Sequence, residues 1–147
     1  MYRPARVGSG GARRVPQTIL ITGGAGFVGR AVARALVARG DRARVLDSLI
    51  EQVHGSRARP EGLPDAVELR TGDIRGGRAV AGAVAGVDAV IHLAAQVAVT
   101  TSLTDPVTDF AVNLGGTLTL LEALRRRADP PFRSSPRPTR SMATSPT

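Results

Sequence analysis

A doubly wound α/β fold, helices on both faces of a parallel sheet, is predicted by three features of this 147-residue chain. Short apolar runs alternate with segments of helical period, as in repeated βα units. The first run breaks directly into a glycine-rich turn that opens a helix, and the second run closes on an aspartate.

The elements follow in order. Residues 1–16 are rich in Gly, Arg and Pro without apolar period and read as a disordered extension. Residues 18–22 (Thr-Ile-Leu-Ile-Thr) make the first strand. Glycines then fall at Gly23, Gly26 and Gly29. Gly23 allows a sharp turn off the strand, Gly26 has no Cβ to keep the backbone from a pyrophosphate, and Gly29 lets the new helix pack closely. The first-turn N–H groups of that helix, with the positive end of its dipole, suit phosphate oxygens.

Val28, Ala31, Val32, Ala35 and Leu36 give residues 27–39 one apolar face, and Gly40 is the stop. Residues 42–47 form the second strand. Its last residue, Asp47, lies about 20 residues beyond the glycine turn, where a carboxylate accepts ribose hydroxyls. That carboxylate would repel the extra phosphate of NADP, and Ser48, Leu49 and Ile50 supply no arginine to receive one, so NAD is favoured. Arg42 and Arg44 lie earlier in the strand and leave NADP open.

Residues 48–64 dissolve into Gly, Pro and charge, a surface loop in which His54 stands alone without the convergent partners of a metal ligand. Residues 66–71 form the third strand, ending in Gly72, Asp73 and Ile74, and residues 77–85 an alanine-rich helix interrupted by Gly82. Residues 87–93 are apolar enough for a central parallel strand and leave through small residues. Residues 105–127 read as the longest helix, with Pro106 in its first turn and Phe110, Val112, Leu114, Leu118, Leu121 and Leu124 on a wide apolar face. Asn113 and Thr117 lie one turn apart on it. Together these are four strands with their helices, the first half of a Rossmann-type sheet. A fifth strand is due next, and residues 131–147, rich in Arg, Pro, Ser and Thr, do not supply it.

Composition narrows the function classes. The net charge of +8 is carried by the ends: residues 1–16 hold four arginines and no acid, residues 125–147 six arginines against Asp129, and residues 17–124 ten arginines against eleven acids. Neither end interleaves aromatics with its arginines, so base stacking, and with it nucleic-acid binding, is not supported. There is no cysteine, hence no disulfide or thiolate metal site, and no apolar run long enough to span a membrane. A soluble cytoplasmic protein is expected. All twenty basic side chains counted in that charge are arginine, the chain contains no lysine, and its one tyrosine is Tyr2.

Taken together, Thr-Gly-Gly-Ala-Gly-Phe-Val-Gly from Thr22, Leu46-Asp47, Gly72-Asp73-Ile74, His92-Leu-Ala-Ala-Gln96, Asn113 to Thr117 and Leu121-Glu122-Ala123 resemble the extended short-chain dehydrogenase/reductase family. The likeness is to its NAD-dependent nucleotide-sugar epimerases and dehydratases. Residues 96–102 with Asp105-Pro106 are most similar to its CDP-paratose 2-epimerase branch, and residues 46–55 also resemble sugar 4-epimerases.

The resemblance implies that Gly23, Gly26 and Gly29 hold the pyrophosphate, with Phe27 and Val28 donating backbone N–H groups, and that Asp47 binds the adenosine ribose. It puts Asp73 and Ile74 at adenine, Leu93, Ala94, Ala95 and Gln96 along the nicotinamide half, and Ser102 and Asn113 between cofactor and sugar. It implies a retained NAD that takes a hydride from a sugar carbon and returns it through a keto-sugar intermediate. The family's proton acceptor is a Tyr-x-x-x-Lys dyad in which the lysine lowers the tyrosine pKa. A chain without lysine cannot form it.

This predicts the NAD-binding portion of a nucleotide-sugar epimerase/dehydratase, residues 17–128, truncated before its catalytic and sugar-binding parts and inactive alone. The alternative is a non-catalytic NAD-binding module or half of a split enzyme, associating through the open edge of its sheet. The tail suggests how truncation arose. Read two nucleotides later, codons for Phe132 to Ala143 permit apolar-apolar-Ser-Ser-Thr-Asn-Lys-Val-Tyr-Gly, the glycine being forced by Met142-Ala143. That is the fifth-strand stretch of the resembled branch, so a frameshift near Pro131 or Phe132 is expected in the gene or in its sequencing.

Overall fold

The computed structural model describes residues 15–50 and 59–129. Tyr2, His54, most of the N-terminal extension and the suspected out-of-frame tail lie outside the described residues. Within them the chain runs β1 (Thr18–Thr22), α1 (Phe27–Ala38), β2 (Arg42–Asp47), β3 (Glu68–Thr71), α2 (Gly77–Val84), β4 (Ala89–His92), α3 (Val99–Thr104), α4 (Pro106–Phe110), a π-helical turn (Ala111–Gly115) and α5 (Gly116–Arg125). The four strands form one parallel sheet in the order β3-β2-β1-β4.

Strand alternation builds the two faces. Ile19 and Ile21 of β1 point to one side, with Ala43 and Val45 of β2 and Ala33 and Leu36 of α1. Leu20 and Leu46 point to the other, packed with Val80, Ala83 and Val84 of α2, Val87, Ile74 and Leu120 of α5. The sheet is thus covered on both faces, and the strand ends converge: Thr22 is in register with Leu46 on one side and His92 on the other. Since β1 lies between β2 and β4, the direction of winding reverses at its carboxyl end, which opens a crevice where α/β sheets take ligands.

Two expectations need correction. The expected helix over 105–127 is α4, a π turn and α5 in succession, with helical backbone angles maintained at Phe110 and Gly116. Asp105 caps it, its Oδ1 accepting the Thr108 N–H at 3.0 Å, and Pro106 opens the first turn. The face that packs on the core is Val112, Gly116, Leu120, Ala123 and Leu124. Phe110, Leu114, Leu118 and Leu121, placed on the expected wide apolar face, are exposed, because the helix is apolar on two sides and only one meets the sheet layer. The second correction is α3, which the sequence did not suggest: Val-Thr-Thr-Ser-Leu-Thr is rich in β-branched residues of low helix propensity.

That stripe and the edge of β4, which pairs only with β1 among the described residues, leave apolar side chains and unpaired strand backbone exposed, the kind of surface on which chains associate. The chain is expected to self-associate as concentration rises, and Leu118→Glu with Leu121→Glu is expected to weaken this without unfolding, since the two side chains are 54% and 55% exposed. Sedimentation velocity over a wide concentration range checks both; a monomer throughout contradicts them.

Candidate functional site

At the carboxyl end of β1 the chain turns under tight constraint. Gly23 has φ +68, and its N–H donates to the Leu46 carbonyl at 2.8 Å, tying the turn to β2. A Cβ at Gly23 would stand 2.7 Å from the Ala94 nitrogen, so the chain leaving β4 passes directly over it. At Gly29 a Cβ would stand 2.5 Å from the Gly24 Cα, so the helix presses on the turn itself rather than on the strands. Gly24, to which the sequence pattern assigns no part, faces Val45 with room for no Cβ (2.5 Å).

Gly26 is the N-cap of α1 and brings no side-chain cap. Among the described residues no capping side chain therefore bonds the first-turn N–H groups, which belong to Phe27, Val28 and Gly29. The Phe27 and Val28 side chains stand exposed beside them. A helix opening of this kind suits a diphosphate: the dipole has the right sign, the N-cap brings no side-chain bond, and Gly26 carries no side chain.

Asp47, 8% exposed, aims its carboxylate back into this turn. Oδ2 accepts the Ala25 N–H and Oδ1 the Leu49 N–H, each at 3.0 Å. One side chain thereby joins the glycine turn to the loop after β2 and holds Leu49 at φ +50, a left-handed conformation unfavourable for a branched residue. Neither arginine of β2 is placed to receive a ribose phosphate. Arg42 pairs in register with Thr18 at the far end of the sheet, and Arg44 binds Glu68 and the carbonyls of Ala83 and Ala85.

Asp73 follows β3 and is gripped by Arg75, whose Nη2 donates to Oδ2 at 2.6 Å while its backbone N–H donates to Oδ1 at 2.8 Å. The Arg75 hydrogen bonds hold the Asp73 carboxyl below its usual value. Ile74 is buried against Gly116, where a Cβ would lie 2.5 Å from its Cγ2, so its backbone is what it can offer a ligand. Ser102 lies on α3, its hydroxyl donating to the Ala98 carbonyl at 3.0 Å.

Residues 93–96 are held from behind. The N–H groups of Leu93 and Ala94 both donate to Thr22 Oγ1, at 3.2 and 3.3 Å. Asn113, on the π turn, clamps Gln96 in both directions: its Oδ1 accepts the Gln96 N–H at 2.8 Å and its Nδ2 donates to the Gln96 carbonyl at 3.1 Å. The wide turn thus coincides with the residue that reaches off the helix.

His92 received no site role from the sequence. It bridges Thr22 Oγ1 (2.6 Å to Nδ1) and Thr117 Oγ1 (3.1 Å to Nε2). The available signal was a polar residue ending each of two adjacent apolar strands, Thr22 and His92, in register.

Burial pushes the His92 imidazole below its ordinary value. The unfolded chain therefore binds this proton first as pH falls. Its contribution to stability is whole above about pH 6.5 and is lost progressively as pH drops from there through the folded value. Asp73, shifted down, loses its own contribution only at lower pH, beneath its ordinary value of 3.8. Urea midpoints at about pH 8 and about pH 5.5 are expected to differ, and to differ less in His92→Gln; equal wild-type midpoints contradict this.

The model of the NAD dependent epimerase/dehydratase family matches residues 19–134, from β1 past the end of α5. This chain belongs to that family. As a member of it, the chain is 37% identical over 108 residues to the dTDP-L-rhamnose 4-epimerase of Burkholderia thailandensis, covering 72% of this chain and 30% of that one. It is 38% identical over 110 residues to the CDP-paratose 2-epimerase of Salmonella typhi, covering 74% and 32%. The solved UDP-glucose 4-epimerase of Thermus thermophilus in complex with NAD superposes with a TM-score of 0.64 at 41% identity, covering 74% of this chain and 33% of that one. The chain therefore spans about a third of the length of these epimerases. No helix among the described residues is long and apolar enough to cross a membrane.

Proposed function

We propose that this chain is the NAD-binding portion of a nucleotide-sugar epimerase/dehydratase and that alone it binds the cofactor without turning over a sugar. The observation that carries the reading is the join made by Asp47: a buried carboxylate at the end of β2 hydrogen-bonded into a glycine turn whose helix begins without a side-chain cap. In that arrangement the N–H groups of Phe27 and Val28 hold the pyrophosphate, with Gly23, Gly26 and Gly29 giving it room. Asp47 meets the adenosine ribose, and the backbone near Asp73 and Ile74 borders adenine. Leu93, Ala94, Ala95 and Gln96 border the nicotinamide half. Asn113 spends its amide on Gln96 and serves the site by holding that residue, while Ser102 stands on the sugar side.

When bound, NAD supplies a hydride acceptor for a sugar carbon. The chain's own residues bind and orient it, and a proton acceptor for the sugar hydroxyl is what they lack: with no lysine the Tyr-x-x-x-Lys pair cannot be assembled. The UDP-glucose, CDP-paratose and dTDP-rhamnose epimerases among the relatives support a nucleotide sugar as substrate of the complete enzyme. The family match stops at residue 134, close to Phe132, in keeping with a reading frame lost there.

Calorimetric titration with NAD and NADP, together with incubation with UDP-glucose, tests the reading. NAD is expected to bind, NADP to bind at least about tenfold more weakly because of Asp47, and no epimer to form. Absence of NAD binding overturns the cofactor assignment, and an epimerised product overturns the inactivity. Coding DNA at Phe132 to Ser141 incompatible with the shifted frame overturns the frameshift.

A further inference from the structure

We infer that His92 is a positioning residue for the nicotinamide side of the site, acting through a closed and directional ring of hydrogen bonds around residues 93–96; the inference rests on the NAD-binding reading proposed above.

Each bond's direction follows from what the partners can donate. The Asn113 carbonyl only accepts, so the Thr117 hydroxyl, 2.6 Å away, donates its one proton to it. Towards His92, Thr117 can then only accept, and Nε2 must carry the ring proton. With the proton on Nε2, Nδ1 is a bare acceptor, so Thr22 Oγ1 donates to it at 2.6 Å and accepts the Ala94 N–H and a share of the Leu93 N–H, which also donates to the Thr22 backbone carbonyl at 3.0 Å. The single neutral tautomer with hydrogen on Nε2 satisfies every member, and burial of the ring favours the neutral form.

The ring closes on the segment that follows. From the Leu93 and Ala94 amides it passes through Thr22, His92 and Thr117 to the Asn113 backbone, and the Asn113 side chain returns to Gln96. The imidazole therefore links the residues that hold the two ends of residues 93–96, joining Thr22 of β1 and Thr117 of α5 to β4. Removing it frees the segment beside Gly23 but leaves the Asp47 join and the opening of α1 intact. The two halves of the cofactor site become separately adjustable, and His92 serves the nicotinamide half.

The test uses the full chain with ¹⁵N-labelled histidine. There are two histidines, so His54→Asn assigns the His92 signals. His92 is expected as the Nε2–H tautomer, and Thr117→Val is expected to release that preference. Affinities for NAD and for ADP, which lacks the nicotinamide half, are then measured on wild type, Thr117→Val, His92→Leu and His92→Gln. NAD binding is expected to weaken about tenfold in Thr117→Val and His92→Leu, one hydrogen bond's worth, with ADP binding unchanged. His92→Gln, whose amide both donates and accepts, is expected to recover part of the loss. Equal loss of ADP and NAD in a folded Thr117→Val would show a merely structural role and overturn the inference, as would an Nδ1–H tautomer in the wild type. Wild type that keeps the tautomer but binds neither nucleotide overturns the cofactor reading itself.

Discussion

Replacing Gly23 by alanine is expected to destabilise the chain by roughly 2–5 kcal/mol, a left-handed backbone penalty combined with overpacking, and to abolish NAD binding. At φ +68 any L side chain is strained, and the new methyl would lie 2.7 Å from the Ala94 nitrogen and 2.8 Å from both the Ala94 Cα and the Leu93 carbonyl carbon. All three are backbone atoms, which cannot rotate aside. Relief requires β4 to shift from β1, which breaks the bonds from Leu93 and Ala94 to Thr22. Gly26→Ala provides the contrast. Its Cβ would meet only the Gly23 oxygen, at 3.3 Å, so folding should be little changed while the phosphate space is filled. Urea unfolding and NAD titration of the two variants separate the effects. A Gly23→Ala chain as stable as wild type would mean that the turn is not built as described.

Asp47→Ala is expected to lower NAD affinity by about tenfold or more and stability by about 1–3 kcal/mol, the cost of leaving buried amides without an acceptor. The Ala25 N–H loses its partner inside the glycine turn, and the Leu49 N–H loses the bond that supports its left-handed conformation. The discrimination against NADP should also narrow, because the carboxylate that repels a 2′-phosphate is gone. Titration with both cofactors, alongside urea unfolding, checks this. An unchanged ratio of the two affinities would show that discrimination arises elsewhere.

Much of the fold was legible because its periods are clean. Residues 18–22 and 42–47 were bounded correctly as β1 and β2, since Thr22 and Asp47 end apolar runs beside turn-forming residues. β3 and β4 came out shorter than expected, 68–71 against 66–71 and 89–92 against 87–93, because apolar character continues into Val67, Val87 and Leu93 where strand pairing has stopped. The helix after α4 was harder to read. Leu118, Leu120 and Leu121 are alike in hydrophobicity, and only the tertiary arrangement selects Leu120 for the core. The π turn was hidden for a related reason: it coincides with a contact between Asn113 and a backbone 17 residues away, which no local pattern encodes. Thr22 and His92 each look like tolerated polar residues until the strands are laid side by side.

The position of β1 has a consequence for how the chain folds as it is synthesised. β1, the earliest of the described strands to leave the ribosome, lies inside the finished sheet, yet its two neighbours arrive at very different times. β2 follows after one short helix, whereas β4 bonds to β1 across about 70 residues, as in the Thr22–His92 contact. Loop-closure entropy rises only slowly with that separation, but no favourable contact repays it until residues 89–92 have emerged. A nascent chain halted before His92 should therefore hold β1 and β2 with one flank of β1 unpaired, a natural point for a chaperone to bind.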